Sequence, residues 1–339
     1  MTTIEIARLA GVSQATVSRV INRHPGVSDD NVHAVRTAMK RVQYTPRPRK
    51  WQFQQPTNLA AKNIAVLLLD ESYANHSTLA VLKLQGVGRA LREAGCNMIF
   101  GLVGSADDLP PLVAAGKVEG VLLWGQQAPR GLLSKLGKLP SVWLSSHAGE
   151  GSQSTLMGNE AVGRIAAEYL IERGCQRLAL LNVSHELPSH RARGEGFQFA
   201  AHQAGLPVEV IAGDESSPPQ PPRWNPRELE PRVAELVDRL LVAAPRADGV
   251  FVPNDQLTAI VHRMLKARGV DLRNDLRMVS TGNDEPYLLG LDPRPATIDL
   301  GPELTGRCAV QQLLWKIKNP NETSRVQVTV EPKLVLGEE

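Results

Sequence analysis

Cysteine is scarce: three in 339 residues, Cys96, Cys175 and Cys308, far apart and odd in number. That excludes a disulfide framework and any paired C-x-x-C metal or redox spacing, and it fits a reducing cytoplasm with buried free thiols. Aromatic residues make up only 4%, so a core must rest on Leu, Val, Ile and Ala. No apolar run approaches the roughly 18 residues of a membrane span. Glu5, Arg8 and Arg19 interrupt the start, where a signal peptide would be apolar. The eight histidines form no H-x-x-x-H pair or ligand cluster. Neither G-x-G-x-x-G nor a phosphate loop occurs, and there is no G-x-S-x-G nucleophile elbow. The expectation is therefore a binding protein with no metal and no cofactor, not an enzyme.

What is present is unevenly charged. Residues 1–50 hold nine Lys/Arg against three Asp/Glu, a net of +6 in a chain whose total is +3, so the remainder carries −3. A small basic head on a mildly acidic body suggests a polyanion partner for the head alone. At roughly 100–200 residues per domain, the length suggests two or three domains.

The first fifty residues read as three short helices. Thr2 and Glu5 match a capping box, and Ile4, Ile6, Ala7 and Leu9 form an apolar stripe with Ala10 behind them. Gly11 can end that helix. Ser13 can cap the next, whose inner face is Val17, Val20 and Ile21. Ser28 can cap a third, lined by Val32, Val35, Met39 and Val42. Two helices joined by a tight, glycine-containing turn make the helix-turn-helix pattern. Its second helix enters the major groove by its N-terminal residues. Gln14, Ala15, Ser18 and Arg19 fall on the open side of that helix. Gln14 can read a base edge, Ala15 can meet a thymine methyl, and Arg19 can donate to guanine or hold a phosphate. Thr3, Thr16, Asn22, His24 and Ser28 suit phosphate contacts, which set register.

The run AGVSQATVSRVIN, then PGVS, then Tyr44 and Pro46, resembles the DNA-binding head of the lactose-repressor/galactose-repressor (LacI/GalR) family. The resemblance implies double-stranded operator DNA as partner and adds Tyr44 to the DNA-binding set. Residues 47–63, rich in Pro, Gln and basic side chains, read as an extended linker. In the family this stretch forms a hinge helix whose leucine wedges into the minor groove; Leu59 is the best equivalent here, the alternative being that it starts the core of the body. Arg47 supplies backbone electrostatics. The linker is longer than the family norm.

From Ile64 the period changes. IAVLLLD is a continuous apolar run, as in a buried parallel strand. A helix over 78–94 follows, then the strands NMIFGLV, VEGVLLW and LPSVWLS. The order repeats after a helix at 159–173: RLALLNV, a helix, VEVIAG, GVFVPN, the helix QLTAIVHRMLKARG, and RMVSTG. This is α/β, built twice. The expected architecture is a small all-α helix-turn-helix domain (1–46), the linker (47–63), and a two-lobed body of doubly wound parallel sheets (64–339). Lobe 1 covers about 64–158 with crossover segments near 295–335, and lobe 2 covers about 159–290. Ligands bind at strand carboxyl ends and between lobes in such folds.

The body resembles the family's effector domain, of periplasmic sugar-binding-protein fold, through GNEAVGRIAAEYLIERG, RARGEGFQFAAHQAGL, FVPNDQLTAIVHRMLKARG and MVSTGNDEP. The resemblance implies a small, carbohydrate-like effector and makes Arg193, Trp224, Asn254, Asp255 and Asp284 its candidate ligands. Tyr73 sits where the family has an aromatic, Asp70 ends the first strand, and Arg191 could serve beside Arg193. Relatives carry aspartate where this chain has Gly158 and histidine where it has Cys175. The segment 104–117 contains Pro110–Pro111, so the usual second helix of lobe 1 looks truncated. The expected function is a dimeric repressor with an effector-modulated operator affinity, with subunit contacts around helices 78–94 and 256–267. The alternatives are an activator, a regulator with an altered or lost effector response, and, from another class, a ligand-binding protein or enzyme of similar α/β fold.

Overall fold

The computed structural model describes residues 3–21, 27–42, 62–69, 78–125, 127–145, 153–183, 187–213 and 226–338. The chain divides into two compact units, Met1–Gln55 and Pro56–Glu339.

The first unit is all-helical: α1 (Thr3–Ala10), α2 (Gln14–Ile21) and α3 (Asp29–Arg41). Ile6, Ala7, Val17, Val35 and Ala38 are its buried centre, ringed by Ala10, Val12, Val20, Ile21, Met39 and Val42. Gly11 ends α1 at φ +65°, a left-handed conformation that favours glycine. The Val12 N–H then closes back onto the Ala7 carbonyl at 3.1 Å. Two expectations are corrected. Ile4 and Leu9 are exposed, because they flank the stripe formed by Ile6, Ala7 and Ala10 rather than lying in it. Ser28 holds the N-cap position of α3 in extended backbone, but its side chain makes no capping hydrogen bond.

The second unit holds two sheets. Lobe 1 runs β1 (Asn63–Leu68), α4 (Thr78–Glu93), β2 (Asn97–Leu102), α5 (Pro111–Ala114), β3 (Gly120–Trp124), α6 (Leu132–Leu136), β4 (Ser141–Ser145) and β5 (Gln153–Met157). Lobe 2 runs α7 (Asn159–Glu172), β6 (Leu178–Asn182), α8 (Pro188–Gln203), β7 (Val208–Ala212), α9 (Pro226–Val242), β8 (Gly249–Phe251), α10 (Asp255–Ala267), β9 (Arg277–Gly282), α11 (Glu285–Leu288) and β10 (Ala296–Asp299). The chain then returns for α12 (Pro302–Lys318) and β11 (Gln327–Val330), and ends with β12 (Lys333–Val335). Sheet order is β2-β1-β3-β4-β5-β11 in lobe 1 and β7-β6-β8-β9-β10-β12 in lobe 2. All neighbours are parallel except β10 and β12.

The crossover segments expected near 295–335 are shared between the lobes: β10 and β12 belong to the second sheet, α12 and β11 to the first. Three connections join the lobes, Met157 to Asn159, Asp299 to Pro302 and Val330 to Lys333. The truncation of lobe 1 is real: α5 is four residues long, opened by Pro110–Pro111 and followed by Gly116 at φ +67°.

Close helix packing sets the rest. A Cβ on Gly163 of α7 would stand 2.0 Å from the Arg193 carbonyl oxygen, and one on Gly196 of α8 would stand 2.2 Å from that of Glu160. The two helices touch through bare backbone, which fixes where Arg193 stands. The pair Gly86 and Gly306 does the same for α4 and α12. The proposed contact surface on 256–267 is corrected: Leu257, Ile260, Val261, Met264 and Leu265 of α10 are all buried in the lobe 2 core.

Candidate functional site

The head presents one built face. Ser13 Oγ accepts the Thr16 N–H at 3.1 Å and shares a 2.9 Å hydrogen bond with the Thr16 hydroxyl. Ser13 is therefore the cap of α2, and Thr16 turns back into that cap, half-buried. Gln14, Ala15, Ser18 and Arg19 are exposed, as the helical spacing predicts. Gln14 is also tethered: its Nε2 donates to the Thr3 hydroxyl at 3.1 Å. Thr3 thus positions a residue expected to read bases. Asn22, His24, Tyr44, Arg47 and Leu59 lie outside the described residues, as do Asp70, Tyr73 and Trp224.

In lobe 2 the carboxyl ends of β9 and β10 meet the start of α10 at Asp255. Its carboxylate is 1% exposed. It accepts from the Ser280 hydroxyl, from Thr297 Oγ1 at 2.9 Å and from the Asp284 N–H at 2.7 Å. Burial pushes its pKa up, and the three hydrogen bonds pull against that. Asp255 is a structural hub, whereas the cap of α10 is Asn254, whose Oδ1 accepts the Leu257 N–H at 3.1 Å.

Asp284, also buried, uses its side chain differently: Oδ1 accepts from Thr78 Oγ1 at 2.5 Å. Thr78 opens α4, so this contact joins the lobes, and Leu79 packs on the lobe 2 core beside it. Arg193 is buried on α8. Its Nε donates to Asn159 Oδ1 at 2.9 Å and its Nη1 to the Pro253 carbonyl at 2.7 Å. Arg191 is exposed, because two residues along a helix point to opposite faces. The neighbouring His190 is buried, and desolvation together with Arg193 lowers its pKa to about 3.

One residue of this region escaped the sequence reading. Lys83 stands in the buried stripe of α4 with Ala80, Gly86, Val87, Ala90 and Leu91. The signal was its spacing: three residues after Ala80 and four before Val87, a lysine occupies an inward slot. Its ammonium lies 5.4 Å from the centroid of the Trp124 ring, at the end of β3. Among the described residues, no group of three or more His, Cys, Asp or Glu is placed to hold a metal, and no helix is long and apolar enough to cross a membrane.

Known proteins match both parts. The family model for bacterial regulatory proteins of the lacI family matches residues 2–47, and that for the periplasmic binding protein-like domain matches residues 167–338. The HTH-type transcriptional regulator GntR of Pseudomonas aeruginosa is 29% identical over 321 residues, covering 91% of this chain and 87% of that protein. The ribose operon repressor of Escherichia coli K12 is 25% identical over 343 residues, covering 96% of each. A solved structure, the transcriptional regulator CelR in complex with cellobiose, is 26% identical with a TM-score of 0.67, covering 100% of this chain and 99% of that one.

Proposed function

The chain belongs to the LacI/GalR family of helix-turn-helix transcriptional regulators, and from that premise we propose that it is a dimeric repressor whose hold on operator DNA is set by a small, sugar-like molecule between its lobes. The observation that carries the reading is the pairing of Arg193 and Asp284. Both are buried on separate elements of lobe 2, and Asp284 already holds a hydroxyl across the lobe boundary, that of Thr78. A carboxylate that accepts one hydroxyl there can accept a ligand's instead. The names of relatives bring ribose and cellobiose to mind, and a carbohydrate-like ligand suits those donors and acceptors.

The mechanism follows from the three connections. A ligand that favours one separation of the lobes shifts that equilibrium by its differential affinity. Coupling of this kind is typically about 1–3 kcal/mol. Two heads then read a near-palindrome, with Gln14, Ala15, Ser18 and Arg19 in each major-groove half-site.

Dimerisation is supported by the edge strands, not by α10. Met98, Phe100 and Leu102 form an exposed apolar row on β2, and Val210 on β7 and Phe199 on α8 are exposed in lobe 2. Exposed apolar rows on sheet edges mark association surfaces.

A second reading, a regulator with an altered effector response, is favoured by Gly158. It occupies the first connection, its N–H donates to the Val330 carbonyl at 3.1 Å, and a Cβ there would meet Pro332 Cδ at 3.0 Å. The aspartate of relatives would press on the third connection, so the change bears on the hinge.

The deciding experiment is binding of the purified protein to its own upstream DNA, titrated with sugars and their derivatives, for the wild type and Asp284→Ala. Release or tightening by one compound, lost in Asp284→Ala, upholds the ligand-gated repressor. Affinity unchanged by every compound and by the substitution sinks it.

A further inference from the structure

Helix α4 carries one charge on its buried face, and packing does not require it. Ala80, Gly86, Val87, Ala90 and Leu91 already cover what the helix needs to sit on its sheet and on α12. A lysine on such a face ordinarily runs its stem along the apolar surface and releases its ammonium to water. Lys83 does not: it is 5% exposed, and its ammonium turns to Trp124 at the carboxyl end of β3. Among the described residues that ammonium has neither a carboxylate nor a hydrogen-bond partner. Trp124 Nε1 is buried beside it, and it too donates to nothing among the described residues. Arg193, from lobe 2, is near enough for its charge to act on Lys83.

The local chemistry is therefore one-sided. A buried ammonium and an indole N–H that no described residue receives lie side by side, with a buried guanidinium within electrostatic reach, and all three are donors. Among the described residues of the interlobe region, the buried carboxylates are engaged otherwise: Asp255 by Ser280, Thr297 and the Asp284 N–H, Asp284 by Thr78. A desolvated charge is costly unless something pairs with it. Burial, with Arg193 adding to it, lowers the pKa of Lys83 to about 8.

We propose that the interlobe site takes an anionic ligand, a polyhydroxylated molecule bearing a carboxylate or phosphoryl group, whose negative group is received by Lys83 and the Trp124 indole N–H with Arg193 alongside. This rests on the reading of the interlobe region as the effector site. The negative group supplies the counter-charge that Lys83 does not find among the described residues, and the hydroxyls go to Asp284. A neutral sugar fills only the second half of that pattern.

The test is calorimetric titration of the full-length protein with two matched series: D-glucose, D-gluconate and D-glucose 6-phosphate, and D-ribose, D-ribonate and D-ribose 5-phosphate. The expected result is that an anionic member binds at least tenfold tighter than its neutral counterpart. The better of gluconate-type and phosphate-type probes identifies the anionic group. Lys83→Met should lose at least tenfold for that anion and leave the neutral member unchanged, while Lys83→Arg keeps most of the affinity and controls for folding. Neutral members binding as tightly as anionic ones, or anion affinity unchanged in Lys83→Met, overturns the anion assignment. Operator release by a neutral member in that case leaves the ligand-gated reading standing. Binding by none of the six overturns the anion assignment as well, and operator release by compounds outside the series then judges the broader reading on its own.

Discussion

The Thr78 hydroxyl donates to Asp284 Oδ1 at 2.5 Å, tying the first residue of α4 in one lobe to the residue that opens α11 in the other. The same aspartate donates its backbone N–H to Asp255 at 2.7 Å. Asp284 is thus anchored by its main chain to the interior of lobe 2 and offers its side chain across the boundary. A hydrogen bond to a charged group contributes about 1.5–3 kcal/mol. Thr78→Val keeps the shape and removes the donor, so the ligand-free lobes should part more readily. Hydrogen exchange at the start of α4 should speed up several-fold while exchange in β1 and β3 stays slow. Unchanged exchange at α4 would show that the bond does not hold the lobes.

Asp255 is a different kind of residue, although it sits in the same N-D pair as Asn254. Three donors converge on its carboxylate. Asp255→Asn replaces one accepting oxygen with an NH2 group, which faces a donor it cannot satisfy. Leaving a buried donor unsatisfied costs about 1–3 kcal/mol. The variant should therefore unfold at a lower urea concentration, and it should bind operator normally in dilute urea-free buffer. Stability equal to wild type would mean the hub relaxes around the amide.

On the head, Gln14 and Arg19 share an exposed face but differ in freedom, because only Gln14 is tethered to Thr3 in the hydrogen bonds seen. A bidentate base contact gives about 1–3 kcal/mol of discrimination. Arg19→Ala should weaken operator binding more than binding to scrambled duplex, measured by anisotropy at one fixed salt concentration. Equal losses would make Arg19 a phosphate contact. Thr3→Val should leave the fold intact and reduce discrimination by under about 1 kcal/mol, the size of one neutral hydrogen bond.

How much of this was legible from residues alone depends on the range of the interactions. The α2 cap and the open face of that helix were readable because Ser13, Gln14 and Thr16 interact within a few positions. The continuous apolar runs of β1 and β3 announced buried strands. By contrast β5 reads QSTLM, and its Ser154 and Thr155 look like loop residues. Both are buried, and Thr155 meets Gln312, 157 residues away, at 2.7 Å. The role of Asp255 depends on Ser280 and Thr297, 25 and 42 positions on. Lys83 was hidden for another reason: an apolar stripe with one lysine looks like a solvated edge until Trp124 is placed beside it.

His190 makes stability depend on acid. Its folded pKa is depressed to about 3 from an ordinary 6.5, chiefly by burial and then by Arg193. Above pH 6.5 it is neutral in both states and costs nothing. As the pH falls below 6.5 the unfolded chain takes up a proton that the folded chain refuses, so stability is lost down to about pH 3. One such proton corresponds to about 1.4 kcal/mol per pH unit. Urea midpoints should fall between pH 6 and 4, and His190→Gln should flatten that slope. An unaltered slope would assign the loss to other groups.

Lys83 gives a dependence of the same sign in a more alkaline window. Its folded pKa is lowered from 10.5 to about 8, so the cost of its buried charge is fully present below pH 8. Between about 8 and 10.5 the folded protein releases the proton while the unfolded chain keeps it, and stability rises across that window. Replacing a buried charge that no described residue compensates by an apolar side chain of similar length removes the cost. Lys83→Met should therefore stabilise the ligand-free protein at pH 7, by on the order of 1–3 kcal/mol, the Trp124 contact offsetting part of the gain. Its midpoint should also stay flat from pH 8 to 10, where the wild type climbs. A substitution that stabilises the empty protein while weakening its ligand is the signature of a residue kept for binding. If Lys83→Met were instead less stable than wild type at pH 7, the ammonium would already be balanced within the chain.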